Sequence, residues 1–220
     1  MDTCEIFNLG QMEYLQAWKL QQELVDAVSL GKRTNTLLLL EHPTVFTIGR
    51  RGTEDHILLT KNQLAQLDIP VHSVDRGGEV TYHGPGQLIA YPIINLKNWG
   101  GPVKYIRNLE QIIIATLKDY GINKATALSS TGVWVDEHKI GAIGVKISSG
   151  VTHHGLSLNI NTDLNYYKYI IPCGTPNARV TSMQSLIEQP VTLEEVNYTL
   201  QYHFGRFMEL RMIQKPREQL

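Results

Sequence analysis

Apolar residues recur along this chain at two periods, and the switches between them mark out its elements. Residues 4–9 read as a short strand. In residues 11–30, Tyr14, Leu15, Trp18, Leu24, Val25 and Val28 fall near three-to-four spacing, which predicts an amphipathic helix closed by Gly31. Residues 36–40 and 45–48 are β-rich runs split by Glu41, His42 and Pro43, where the proline removes a ladder donor, and 49–52 reads as a turn. Thr60 is placed to cap a short helix, with Gln63 at the capping-box position and Pro70 as the stop.

Strands are expected at 71–74, 80–82 and 88–95, around glycine-rich turns. Pro102 opens a long helix whose apolar face carries Ile106, Leu109, Ile112, Ile113 and Leu117, ended by Gly121. A β-meander over 132–135, 140–147 and 151–160 follows, then a last helix from 193 to about 208, with 214–220 expected to fray. No repeat or low-complexity linker interrupts the chain. Strands and helices come in runs rather than strict alternation, which predicts an α+β fold in a single domain over residues 1–220.

Composition narrows the partners. With 220 residues and 42% hydrophobic content the chain is able to bury one continuous core. Lys and Arg number 20 against 21 Asp and Glu, so no net basic field exists to hold a phosphate backbone or an anionic membrane, and nucleic acid and membrane are excluded as expected partners. The N-terminus lacks a basic stretch leading into an apolar run, and no window approaches eighteen apolar residues, so a cytoplasmic protein is expected. Cys4 and Cys173 are too few for a disulfide framework.

Two constellations carry chemistry. The first, RGGEVTYHGPGQLIAY from Arg76 to Tyr91, packs Gly77, Gly78, Gly84 and Gly86 among strand formers, which asks the backbone for close approach to something laid against it. Arg76, Thr81, His83 and Gln87 offer polar groups within what reads as one compact hairpin-like unit; the plainer alternative is a tight hairpin with a structural His83. Neither the phosphate-loop nor the dinucleotide glycine pattern is present.

The second is Cys173 in IIPCGTP, where Pro172 fixes its own φ and Gly174 leaves the next peptide unshielded, so the thiol stands on a rigid, approachable bend. A thiolate there is able to attack a thioester carbonyl; the alternative is a small buried hydrophobe. Holding a thiolate at neutral pH needs a neighbouring cation or base, and Lys139, Lys146, His83, His153 and His154 all qualify. His153 and His154, adjacent on an expected strand, should point to opposite faces, and the histidine and cysteine spacings support no metal site.

Together these segments resemble the lipoyl(octanoyl) transferases. The resemblance rests on Arg76, Gly77, Gly78, Thr81, Tyr82, His83, Gly86, Gln87 and Tyr91, on KIGAIG from Lys139, on HGLSLN from His154 and on PCG around Cys173, in order and across nearly the full chain. It implies a mixed or antiparallel sheet flanked by helices, like the catalytic domains of biotin and lipoate protein ligases. It further implies Cys173 as the acyl-carrying nucleophile, and Lys139 rather than Lys146 as the residue that lowers its pKa and moves protons. The implied substrate-binding residues are Arg76, Gly77, Gly78, Glu79, Val80, Thr81, Tyr82, His83, Ala142, Ile143, Gly144, Gly155, Leu156 and Ser157. The implied donor is octanoyl-acyl carrier protein; the acceptors are lipoyl domains of 2-oxoacid dehydrogenases and the glycine cleavage H protein. A monomer with no cofactor or metal is expected, and a closed apolar tunnel would select the eight-carbon chain at roughly 0.8 kcal/mol per methylene.

Overall fold

Four consecutive leucines explain the central layer. Leu37, Leu38, Leu39 and Leu40 lie in β2 (Asn35–Glu41), none more than 3% exposed. Because side chains alternate across a strand, Leu37 and Leu39 join one apolar cluster and Leu38 and Leu40 another. A run without polar alternation therefore marks a strand covered on both faces. The structure is a computed structural model that describes residues 2–97, 99–128, 130–171 and 179–220.

An eight-stranded mixed sheet contains β2. It pairs parallel with β1 (Thr3–Gln11), whose other edge pairs parallel with β11 (Arg211–Gln214). On its opposite side β2 runs antiparallel to β6 (Gln87–Ile93), followed by β10 (Val151–Asn159), β9 (His138–Ser148), β8 (Val133–Val135) and β7 (Ala125–Thr126), each antiparallel to its neighbour. α3 (Gly101–Asp119) and α4 (Leu193–Met208) cover the Leu37 face with Leu109, Ile112, Ile113, Leu200 and Phe204, all fully buried. α1 (Tyr14–Ser29) covers the other face with Ala17, Leu24, Val25 and Val28. The expected α+β architecture of sheet flanked by helices is the one observed.

A second sheet of three strands stands beside it: β4 (Val71–Ser73), β3 (Val45–Ile48) and β5 (Val80–His83), with β3 central. α2 (Lys61–Gln66) belongs to this part, and its capping box is the expected one: Gln63 N donates to Thr60 Oγ1 while Thr60 N donates to Gln63 Oε1. This second sheet corrects the hairpin reading of residues 76–91. β5 pairs with β3 and β6 with β2 and β10, so the Gly84–Pro85–Gly86 turn carries the chain from one sheet to the other. Gly86 makes the crossing possible, with φ +79 and a backbone so close to Asn161 that no Cβ would fit, while its N–H donates to Glu41 Oε2 at 2.7 Å.

Residues 211–220, part of which was expected to fray, are tied to the sheet. β11 pairs with β1, and Arg33 donates from Nη1 to the Leu220 carbonyl and from Nη2 to the Gln219 carbonyl, both at 2.9 Å. This strand escaped the sequence reading because RMIQ is short and half-exposed, without the alternation a strand usually shows.

Candidate active site

The two sheets meet along a glycine-walled seam. Gly77 N donates to the Val145 carbonyl of β9 at 3.0 Å, and a Cβ at Gly144 would lie 2.8 Å from the Gly77 oxygen, so loop 76–79 presses directly on β9. From the other side the 49–52 turn bonds to the same loop: Gly49 N to the Glu79 carbonyl, Arg50 N to Arg76 and Arg51 N to Gly78, each at 3.0 Å. Arg76, 7% exposed, braces the arrangement from within. Its Nη2 donates to the Thr47 and Glu79 carbonyls, both at 2.8 Å, and Nε to Thr47 Oγ1 at 3.2 Å. These bonds make the guanidinium a brace for the loop as well as a wall of the pocket.

Two connected spaces open on this seam. The outer cleft has a volume of about 810 Å³, within the range of small-molecule sites, and its walls include Arg50, Arg51, Thr131, Trp134, Lys139, Asn159, Tyr167, Arg179 and Val180. The inner pocket, about 60 Å³, is lined by Tyr14, Tyr91 and His154 together with most of the expected binding residues: Arg76, Gly77, Gly78, Glu79, Val80, Thr81, His83, Ala142, Ile143, Gly144, Gly155, Leu156 and Ser157. Lys139, Gly77, Gly78, Glu79, Thr81, Ala142, Ile143, Gly144 and Ser157 border both. Tyr82 is placed elsewhere. Alternation along β5 turns it into the small-sheet core, where it is fully buried and stacks on Tyr166 with ring centroids 4.9 Å apart. The inner walls are mostly apolar, with Val80, Ile143 and Leu156 among them, and carry the polar groups of Tyr14, His83, Tyr91 and His154 as well.

Lys139 sits where the two spaces join. Its Nζ donates to the Thr131 carbonyl at 3.3 Å and lies 5.0 Å from the centre of the Trp134 ring. Its backbone holds the chain that follows residue 178: Lys139 N donates to the Arg179 carbonyl at 2.8 Å, and Thr181 N donates to the Lys139 carbonyl at 3.0 Å. At the other end Ile171 N donates to the His56 carbonyl at 2.8 Å. Cys173 itself lies outside the described residues. The second thiol, Cys4, is fully buried on β1, where burial raises its pKa and leaves it an inert core atom.

Hydrogen-bond bookkeeping fixes the state of His83. Asn159 Nδ2 donates to the Thr181 carbonyl, so Asn159 Oδ1 is the acceptor facing Gln87 Nε2 at 2.9 Å. Gln87 Nε2 also donates to the Tyr82 carbonyl, which leaves Gln87 Oε1 to accept from His83 Nδ1 at 2.7 Å. A neutral imidazole with its proton on Nδ1 carries a lone pair on Nε2. Burial, and then the neighbouring His42, push the His83 pKa well below its ordinary value, so it is neutral at pH 7.

A charged cluster stands behind the inner pocket. Asp75 accepts from Lys146 Nζ and from His154 Nε2, both at 2.7 Å, with His153 Nε2 at 3.9 Å. The two histidines therefore share one side, against the sequence expectation of opposite faces. The cause is local: His154 has φ +53, which breaks the strand alternation, and its N–H is taken by Gln21 Oε1 at 2.7 Å. Burial raises the Asp75 carboxyl, but the hydrogen bonds from Lys146 and His154 outweigh it and hold the pKa at about 2. The donor atoms of Asp75, His153 and His154 lie within 4.8 Å of one another, a spacing that suits a metal ion, but the Lys146 ammonium already supplies a cation there. Of the candidate partners for Cys173, Lys146, His153 and His154 are gathered around Asp75 and His83 is bonded to Gln87, while Lys139, His83 and His154 border the inner pocket.

Several site residues were missed by the sequence reading. Tyr14 was read as a helix-core position; Trp134, Asn159, Tyr167, Arg179 and Val180 had no motif of their own, apart from Asn159 closing HGLSLN.

This mixed sheet flanked by helices is the fold of lipoyl protein ligases. The model of the lipoyl protein ligase A/B catalytic domain matches residues 13–205. An octanoyltransferase of Solibacter usitatus is 44% identical over 214 residues, covering 97% of this chain and 96% of that one. The mitochondrial octanoyltransferase LIP2 of Arabidopsis thaliana is 42% identical over 196 residues, covering 88% and 83%. The solved bipartite lipoate protein ligase of Thermoplasma acidophilum superposes with a TM-score of 0.76 at 15% identity, covering 98% of this chain and 88% of that one. The chain belongs to the lipoyl protein ligase A/B catalytic-domain family and, within it, to the octanoyltransferases.

Proposed function

We propose that this chain transfers an octanoyl group from octanoyl-acyl carrier protein to a lysine of lipoyl domains, those of 2-oxoacid dehydrogenases and the glycine cleavage H protein, acting as a cytoplasmic monomer through a thioester on Cys173. The observation that carries this reading is the position of Lys139. It borders both spaces of the seam, and its backbone bonds to Arg179 and Thr181, the first described chain after Cys173. No described helix is long and apolar enough to cross a membrane, in keeping with soluble carrier proteins as substrates.

In the first step the Cys173 thiolate attacks the donor thioester carbonyl, a new S–C bond forms, and the carrier thiol leaves with a proton from Lys139. In the second, the acceptor amine attacks the acyl-enzyme. A C–N bond forms, the C–S bond breaks, and the amine proton passes to Lys139 as the Cys173 thiolate is regenerated. Thioester exchange is nearly balanced and aminolysis is downhill, so no ATP enters. An ammonium at about 4 Å favours a thiolate by up to ~4 kcal/mol at an effective dielectric near 20, more than neutral pH requires.

Incubation with octanoyl-acyl carrier protein should add one octanoyl mass to wild type, located on Cys173, and the mass should move to an added lipoyl domain without ATP. Cys173→Ala should take up none, and Lys139→Met should acylate at least 100-fold more slowly. A full-rate adduct in Cys173→Ala, or transfer that strictly requires ATP and a free acid, would replace this reading with a noncovalent or ligase mechanism.

A further inference from the structure

Glu110 is a fully buried carboxylate in the middle of α3, between Leu109 and Ile112 of the main apolar cluster. A buried charge costs several kcal/mol unless hydrogen bonds and an opposite charge offset it. One offset is Arg107, a turn earlier on the same helix, whose half-exposed Nη1 donates to Glu110 Oε2 at 2.6 Å. The other lies on a different element: Glu110 Oε1 accepts from the Gly132 backbone N–H at 3.2 Å.

That amide belongs to the turn that seats Lys139. The peptide joining Thr131 to Gly132 has the Gly132 N–H on one side, held by Glu110, and the Thr131 carbonyl on the other, which accepts from Lys139 Nζ at 3.3 Å. A single planar peptide unit thus stands between a carboxylate in the core and the ammonium in the cleft, and fixing one end orients the other. Gly132 has φ +134, and a Cβ there would lie 2.7 Å from Lys139 Cε and 2.8 Å from the Gly141 carbonyl, so the lysine stem passes through the space a side chain would occupy.

We infer that Glu110 is a positioning residue for Lys139: it clamps the 131–132 peptide so that the Thr131 carbonyl holds the ammonium at the junction of the outer cleft and inner pocket. The inference rests on the reading that Lys139 maintains Cys173 as a thiolate. Without the clamp the peptide is free to rotate, the carbonyl loses its aim, and the long lysine side chain regains rotamer freedom at the expense of the thiolate.

The test reads the Cys173 thiolate directly, as the pH midpoint of alkylation by iodoacetamide located by peptide mass, alongside kcat and KM for octanoyl transfer. Glu110→Met keeps the volume and suits the apolar surroundings but removes the acceptor. It should raise the midpoint by about one pH unit and lower kcat about tenfold with KM little changed. Glu110→Gln keeps an acceptor for Gly132 N and should stay near wild type, as should Arg107→Ala, which leaves the Gly132 bond in place. Gly132→Ala crowds the lysine from the turn itself and should raise the midpoint in a protein whose α3 is unaltered, which decides the matter if Glu110→Met does not fold. Lys139→Met is the reference. If it fails to move the midpoint, the thiolate reading falls; if it moves the midpoint while folded Glu110→Met or Gly132→Ala matches wild type, the clamp is refuted.

Discussion

At the scale of single residues, the seam between the sheets is built by omission of side chains. Gly144 faces the Gly77 oxygen at a distance no Cβ tolerates, and the same Cβ would lie 3.3 Å from Arg76 Cδ. Gly144→Ala should therefore push loop 76–79 off β9 and distort the inner pocket while leaving both apolar clusters intact. Octanoyl transfer should drop at least tenfold, with less than about 2 kcal/mol lost in a denaturant titration. Wild-type transfer by this variant would show that the loop is free to retreat without cost.

Residue-scale chemistry was legible where type and spacing coincide. The glycines of RGGEVTYHGPGQ announced a close approach, and the strand bearing Lys139 was found within two residues. What could not be read was orientation. Tyr82 sits in the middle of the motif yet faces the small core, because β5 alternates and a motif does not reveal which face is inward. His154 breaks alternation through a positive φ sustained by Gln21, a contact from a helix more than 130 positions earlier in the chain. The turn that seats Lys139 was invisible for a similar reason, since its anchor, Glu110, looks like an ordinary polar position in an amphipathic helix.

At the scale of elements, local signals were trustworthy and long-range pairings were not. Helices α1 and α3 were found from periodicity and their Gly or Pro boundaries, α2 from its capping box, and α4 was placed at its observed bounds. β5 and β6 were found as strands, but their assignment to different sheets depends on partners distant in sequence. A second capping box was not anticipated: at the start of α4, Glu195 N donates to Thr192 Oγ1 at 3.3 Å and Thr192 N donates to Glu195 Oε2 at 3.0 Å. Thr192→Ala removes the side-chain acceptor and should cost about 1 kcal/mol, read as a lower denaturant midpoint at unchanged slope, with octanoyl transfer unaffected. A loss of transfer without loss of stability would place α4 in the site, where the structure does not put it.

At the scale of the whole molecule, buried imidazoles set the response to acid. Burial lowers the pKa of both His42 and His154 to about 4 and that of His83 well below 6.5. An unfolded histidine titrates near 6.5, so as pH falls below that value the unfolded chain takes up protons that the folded chain refuses. The stability is complete above about pH 6.5 and is lost progressively toward pH 4, at up to about 1.4 kcal/mol per pH unit for each histidine. Asp75, held at about 2, adds a further loss below its unfolded value near 3.8. Denaturant midpoints measured at pH 7.5, 6 and 5 should decline steeply, and His42→Gln should flatten the decline by about one proton. A wild-type profile level down to pH 5 would contradict the burial of these rings.

The parallel pairing of β11 with β1 also bears on how the molecule is made. Thr3, Cys4, Glu5 and Ile6 face Arg211, Met212, Ile213 and Gln214, across more than two hundred residues of chain. At about 5–20 residues per second, the ribosome delivers the second strand roughly 10–40 s after the first. Through that interval the outer edge of β1 is an uncovered row of N–H and C=O groups, a template open to any passing strand. β1 is thus the strand left open to mispairing for that interval, and β11 is the one that removes the hazard.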